Sequence, residues 1–200
     1  MHLKSLIIIT FLIFTLLGAF NDLSANPEIH PITDLPVHLS DSTITAHNLV
    51  DFSPVKINLK DGQTKVIVFL SAKCPCSSSH EQLLSQMAQE FNQLKFFGIH
   101  SNVDEAENES KEHFLKANFP FPVIQDSKAV IANKFQALKT PHVFILNGKG
   151  DTIYSGGITD SHDVTRSKKN YLMDALNSVK KGENPNPSVV RTLGCFITRS

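Results

Sequence analysis

The chain has 200 residues, room for one domain with appendages, since domains commonly run to about 100–150 residues. Its 19 basic and 19 acidic residues give a formal net charge of zero, which argues against nucleic acid or an anionic membrane surface as a partner held by charge. Fourteen Phe and no Trp predict a core of Phe and aliphatic side chains.

Met1-His2-Leu3-Lys4 followed by the apolar run Ser5 to Phe20 reads as an export signal. Residues 1–25 are then either cleaved near Ala25 or kept as an N-terminal anchor, and any membrane contact runs through them. Export places the remainder outside the cytoplasm, where disulfides persist, so all three cysteines call for a redox account. Residues 26–48 carry Pro27, Pro31 and Pro36 among polar residues and are expected to form an extended lead-in. The folded domain is expected over residues 49–182.

Val55, Ile57 and Leu59 alternate with Lys56 and Asn58, the pattern of a half-buried strand, and Asp61-Gly62 closes it as a turn. Val66-Ile67-Val68-Phe69-Leu70 is a continuous apolar run, as a central strand covered on both faces requires. Leu83, Leu84, Met87, Ala88, Phe91 and Leu94 recur at helical spacing, predicting a helix from about Ser77 to Gln93. Phe96-Phe97-Gly98-Ile99 reads as a second buried strand, and Asp104 to Asn118, acidic early and basic late, as another helix. Val123-Ile124 reads as a short strand and Ser127 to Leu138 as a helix. Val143 to Leu146 and Thr152 to Tyr154 flank the turn Gly148-Lys149-Gly150-Asp151 and predict a hairpin. Tyr171, Leu172, Ala175, Leu176 and Val179 form the stripe of a closing helix that Gly182 ends. Strands alternating with helices imply an α/β domain with a largely parallel sheet. Residues 183–200 form a Pro-rich tail, expected to be mobile, that carries Cys195.

Between the apolar run and the first helix stands Ser71-Ala72-Lys73-Cys74-Pro75-Cys76-Ser77-Ser78-Ser79-His80. A helix N-terminus presents unpaired amides and partial positive charge, which favour thiolate over thiol, so Cys74 is the candidate nucleophile. Its attack on a peroxide oxygen or a disulfide sulfur leaves a species that a second thiol must resolve, and both Cys76 and Cys195 are candidates. A Cys76–Cys195 staple holding the tail is the structural alternative, leaving Cys74 as a single working thiol.

The ordered set Cys74-Pro75, Phe97-Gly98-Ile99-His100-Ser101-Asn102-Val103-Asp104, Phe119-Pro120-Phe121-Pro122-Val123, Thr140-Pro141 and Gly194-Cys195 resembles thioredoxin-fold proteins. More narrowly, it resembles the peroxiredoxin-like redoxins that combine an export signal with a C-terminal Gly-Cys. The resemblance implies a thioredoxin-like α/β fold with a central mixed sheet flanked by helices, and a cis Thr140-Pro141 bond against the cysteine pocket. It also implies that Ser71, with Thr140 and Pro141, positions the substrate, because Ser71 lies three residues before Cys74. Two positions depart from the peroxiredoxin pattern: Ile67 replaces a proline, and no arginine stands near Thr140-Pro141.

These residues point to an exported thiol-disulfide oxidoreductase or thiol-dependent peroxidase. Its partners would be a peroxide or protein disulfide and a thiol-reducing protein, with no organic cofactor because the cysteines carry the electrons. Two readings compete with it. Cys74, Cys76 and His80 form a soft donor set suited to copper or zinc, and metal delivery is the alternative from a different class. A binding or sensing module without turnover is the other. His142 after Pro141 and Lys73 beside Cys74 are possible contributors to the pocket, while Asp160, Asp163 and Arg166 read as solvated loop residues.

Overall fold

The computed structural model describes residues 38–40 and 42–199. The expected export segment, residues 1–25, and the lead-in as far as residue 37 lie outside the described residues. The remainder of the lead-in is not merely extended. Strands β1 (His38–Leu39) and β2 (Thr43–His47) pair antiparallel, and β2 pairs in turn with β3 (Pro54–Asn58). Ile44 and Ala46 of β2 and Ile57 of β3 are buried, so alternation gives this small sheet one apolar face.

The central sheet has five strands in the order β6-β5-β4-β8-β9. Strand β4 (Lys65–Leu70) lies in its middle, and all six of its residues are buried. Strands β5 (Lys95–His100) and β6 (Val123–Gln125) run parallel to it on one side. On the other side, β8 (His142–Leu146) runs antiparallel to β4 and carries the hairpin partner β9 (Thr152–Gly156). The sheet is therefore mixed: short helical crossovers make parallel neighbours, whereas a tight turn between β8 and β9 enforces antiparallel pairing.

The pleat of β4 explains the layers. Val66, Val68 and Leu70 join Leu84, Met87 and Phe91 of the α1 (Pro75–Glu90) region, Phe114 of α2 (Glu107–Ala117), and Leu172 and Leu176 of α4 (Tyr171–Lys180) in one cluster. Ile67 and Phe69 point the other way, joining Ile44 and Ile57 of the small sheet and Ile131 and Ala132 of α3 (Val130–Phe135). Burial of each such side chain contributes about 1.5–3 kcal/mol, so the strand that delivers the cysteine loop is held by packing on both faces.

The helix expected over Ser127 to Leu138 is shorter and broken. A 3-10 turn at Ser127–Ala129 precedes α3, with Lys128 and Ala129 both at positive φ. The Asp126 carboxylate causes the break by accepting both the Ile131 and Ala132 amides at 2.9 Å, which starts the helix late.

The tail also departs from expectation, because it is packed. After Gly182, at φ +78°, it runs beside β9, where the Ser155 amide donates to the Ser188 carbonyl at 2.9 Å and the Val190 amide to the Ser155 carbonyl at 3.0 Å. Strand β10 (Cys195–Phe196) then pairs antiparallel with β7 (Lys139–Thr140) in the register Cys195↔Thr140 and Phe196↔Lys139. Ile197 is buried, and Arg199 donates to Asn133 Oδ1 at 2.9 Å and to the Ala137 carbonyl.

Candidate active site

Cys74 is the N-cap of α1, with Pro75 in the first turn, where its missing N–H costs nothing. The residue is 2% exposed, and its sulfur forms a disulfide with Cys195 across a Cα–Cα distance of 5.9 Å. The two half-cystines are 121 residues apart in sequence, yet the β7–β10 pairing places them side by side. The Cys195 amide points at Cys74 Sγ from 3.4 Å, and the Thr140 carbonyl oxygen lies 3.2 Å from the same sulfur. The Thr140-Pro141 bond is cis.

Gly194 makes the approach possible. It adopts φ +146°, and a Cβ there would collide with the Thr140 carbonyl. The Gly-Cys pair at the chain end is thus a steric requirement for bringing Cys195 onto β7.

Cys76, the other candidate resolving thiol, is free and partly exposed. The sulfurs of Cys74, Cys76 and Cys195 all lie within 4.8 Å of one another. Cys76 Sγ is 3.2 Å from Nδ1 of His162, a residue the sequence did not single out. His162 sits among Ser, Asp and Thr residues that make local turn bonds, so nothing in the spacing marked it. The signal available was only that a histidine stood in the polar stretch beside Asp160 and Asp163.

Ser71 is buried behind the cysteine loop. Its hydroxyl accepts from the Cys74 amide at 3.0 Å and donates to the Glu105 carboxylate, and the residue is 1% exposed. Glu105 is the hub behind the cysteine loop. It also accepts from the Ala72 amide at 2.8 Å, from Asn102 Nδ2 at 2.8 Å and from His100 Nε2 at 3.1 Å. Burial alone would raise the Glu105 carboxyl, but the bonds from His100 and Ser71 outweigh it and hold the group below its ordinary value. A fixed anion thereby braces the turn between β4 and α1 from inside.

His80 is not among the residues facing the sulfurs. Its Nδ1 is 2.7 Å from the Cys76 carbonyl oxygen and its Nε2 2.8 Å from Thr159 Oγ1, so both ring nitrogens are committed elsewhere. The expected donor set of Cys74, Cys76 and His80 is thus not assembled, because a residue four on in the first turns of α1 turns towards residue 159. His142 packs its ring on Phe144 with centroids 4.4 Å apart, and its Nε2 reaches Ser155 Oγ at 3.2 Å rather than any cysteine. Burial lowers its pKa to about 4. Lys73 pairs with Glu109 at 2.7 Å on the surface. A cavity of about 490 Å³ lined by Leu94, Phe96, Phe121 and Pro122 includes no cysteine.

A family model described as "Domain of unknown function (DUF6436)" matches residues 45–198. No curated protein matches the sequence. Among solved structures, an uncharacterized conserved protein from Geobacillus kaustophilus superposes with a TM-score of 0.71 at 20% identity, covering 83% of this chain and 93% of its own. A hypothetical protein from Sinorhizobium meliloti gives 0.71 at 19% identity, with 83% and 96% covered. The thioredoxin domain of a thiol-disulfide oxidoreductase from Bacteroides vulgatus gives 0.54 at 15% identity, with 75% and 99% covered. The fold is thioredoxin-like: a central mixed sheet flanked by helices, with the cysteine loop at the end of its middle strand.

Proposed function

The chain belongs to the DUF6436 family, and on that footing we propose that it is a thiol-disulfide oxidoreductase in which Cys74 is the attacking thiolate and Cys195 its resolving thiol. The observation that carries the proposal is the Cys74–Cys195 disulfide held at the N-terminus of α1 by the β7–β10 pairing. In the reduced protein, Cys74 as thiolate attacks one sulfur of a substrate disulfide, forming a mixed disulfide and releasing the other sulfur as a thiolate. Cys195 then attacks Cys74 Sγ, restores the internal disulfide and expels the reduced substrate. A second, thiol-bearing protein closes the cycle by reducing Cys74–Cys195. The redoxin resemblance supports this chemistry, as do the disulfide and the general fit of such exchange to a compartment outside the cytoplasm.

Ser71 argues for a disulfide over a peroxide as the oxidant. The hydroxyl that would bind peroxide is already engaged by Glu105 and the Cys74 amide, and the arginine of the peroxiredoxin pattern has no counterpart near Thr140-Pro141. The test uses reduced Cys195→Ser protein mixed with oxidised glutathione. A stable adduct on Cys74 is expected, and adduct on Cys76 alone would overturn the assignment.

A soft metal is the second reading, favoured by one observation: three sulfurs within 4.8 Å of one another. In the reduced protein Cys74, Cys76 and Cys195 would supply the thiolates, with Cys195 in the place first given to His80. Anaerobic titration with Cu(I) supports it if one equivalent binds and Cys195→Ser abolishes binding; uptake unchanged by Cys195→Ser removes it.

A further inference from the structure

We propose that Cys76 and His162 form an internal exchange centre that shifts the disulfide from Cys74–Cys195 to Cys76–Cys195 and thereby frees Cys74. The inference rests on the oxidoreductase reading and adds a step inside it. Three facts meet here. Cys76 is a free thiol whose sulfur lies within 4.8 Å of both bonded sulfurs. That thiol is 3.2 Å from an imidazole nitrogen. The loop carrying the imidazole is fastened to the same helix turns that carry Cys76: Ser79 Oγ accepts from the Val164 amide at 3.1 Å and reaches the His162 carbonyl at 3.4 Å, while Thr159 Oγ1 meets His80 Nε2 at 2.8 Å. The thiol and its base therefore move as one unit.

The step balances without an external reagent. Nδ1 of His162 accepts the Cys76 thiol proton as the sulfur attacks Cys195 Sγ. The Cys76–Cys195 bond forms, the Cys74–Cys195 bond breaks, and its electron pair leaves with Cys74 as thiolate. One disulfide exists before and after, and nothing is oxidised or reduced overall. Attack falls on Cys195 rather than Cys74 for two reasons. The leaving thiolate at Cys74 sits at the N-terminus of α1, which stabilises it. Attack on Cys74 would instead bridge residues on either side of Pro75, whose ring fixes the backbone between them.

The consequence is a second oxidised form with a different reactivity. In the Cys74–Cys195 form the nucleophile is capped and almost wholly buried. In the Cys76–Cys195 form the tail stays tethered to the first turn of α1, and Cys74 is a free thiolate able to attack a substrate.

The experiment is reagent-dependent labelling of the purified, fully oxidised protein at pH 7 with iodoacetamide, followed by peptide mapping of the labelled cysteine. High reagent concentration captures the resting form and labels Cys76. Low concentration lets exchange outrun labelling, so the label moves to Cys74. In His162→Gln, whose site is exposed, the rate of Cys76 labelling at high reagent is expected to fall by about tenfold, since a free cysteine is already a few per cent thiolate at pH 7. In Cys76→Ser no label should reach Cys74 before a reductant is added. Label confined to Cys76 at every concentration overturns the proposal, as does an unchanged Cys76 labelling rate in His162→Gln or labelling of Cys74 in Cys76→Ser. Such a failure leaves the oxidoreductase reading standing, because that reading is tested by the glutathione adduct on Cys74. A glutathione adduct on Cys76 alone would instead defeat the reading itself.

Discussion

Cys195 stands directly opposite Thr140 across the β7–β10 pairing, and this register alone puts its amide 3.4 Å from Cys74 Sγ. The C-terminal strand, the Thr140-Pro141 segment and the start of α1 thus converge on one sulfur. The β7–β10 pairing and the Cys74–Cys195 bond hold the same two residues together, so the fold and the disulfide reinforce one another.

Gly194→Ala tests that convergence. A methyl group at φ +146° faces the Thr140 carbonyl, and a strained residue of this kind costs about 1–3 kcal/mol. Equilibration with dithiothreitol should show the variant disulfide shifted towards the reduced form by about tenfold, since ~1.4 kcal/mol is a factor of ten. An unchanged equilibrium would mean that the tail docks in another way.

Cys195→Ser removes the covalent hold on the tail. A disulfide is typically worth about 2–4 kcal/mol, and about 4.7 kcal/mol for a loop of roughly 100 residues, so urea unfolding of the oxidised wild type should exceed that of Cys195→Ser by about 2–5 kcal/mol. The gap should vanish when both are measured with excess reductant.

Glu105→Gln leaves the amides of the cysteine loop without their anion. A hydrogen bond to a charged group contributes about 1.5–3 kcal/mol, and the amide oxygen of Gln keeps part of this. The account predicts a loss of about 2–4 kcal/mol in urea unfolding at pH 7, because several such bonds weaken together. Because the folded Glu105 carboxyl lies below its ordinary 4.5, its contribution is complete above that pH and disappears as pH falls through the folded value. Wild type and Glu105→Gln should therefore converge in acid.

His142 gives a separate pH window. The folded group is depressed from 6.5 to about 4 by burial, so between those values the unfolded chain binds a proton that the folded chain refuses. Stability is full above about pH 6.5 and falls as pH drops towards 4, by about 3 kcal/mol at ~1.4 kcal/mol per unit. Denaturation series at pH 7 and pH 4.5 should show a smaller fall in His142→Gln than in the wild type.

Local pattern made much of this legible in the chain. The five apolar residues from Val66 to Leu70 could be covered only as a central strand, and the Leu84, Met87 and Phe91 spacing fixed the buried face of α1. Cys74 at a strand-to-helix junction followed from those two elements. What escaped detection depends on partners far away in the sequence. Strand β10 is two residues long and has no periodicity; it exists because Lys139–Thr140 offers an edge. Thr43–His47 looked like a polar lead-in because only Ile44 and Ala46 face inward. Ser71 was given to the substrate, but Glu105, 34 residues later, holds its hydroxyl. His162 meets Cys76 across 86 residues through a loop whose composition announces only turns.

The most direct measurement is reductant-driven turnover of a disulfide substrate by the wild type and by Cys74→Ser, with circular dichroism confirming that both are folded. The account predicts turnover in the wild type, formation of the Cys74–Cys195 bond in each cycle, and loss of all turnover in Cys74→Ser. Turnover at the wild-type rate in folded Cys74→Ser would contradict it.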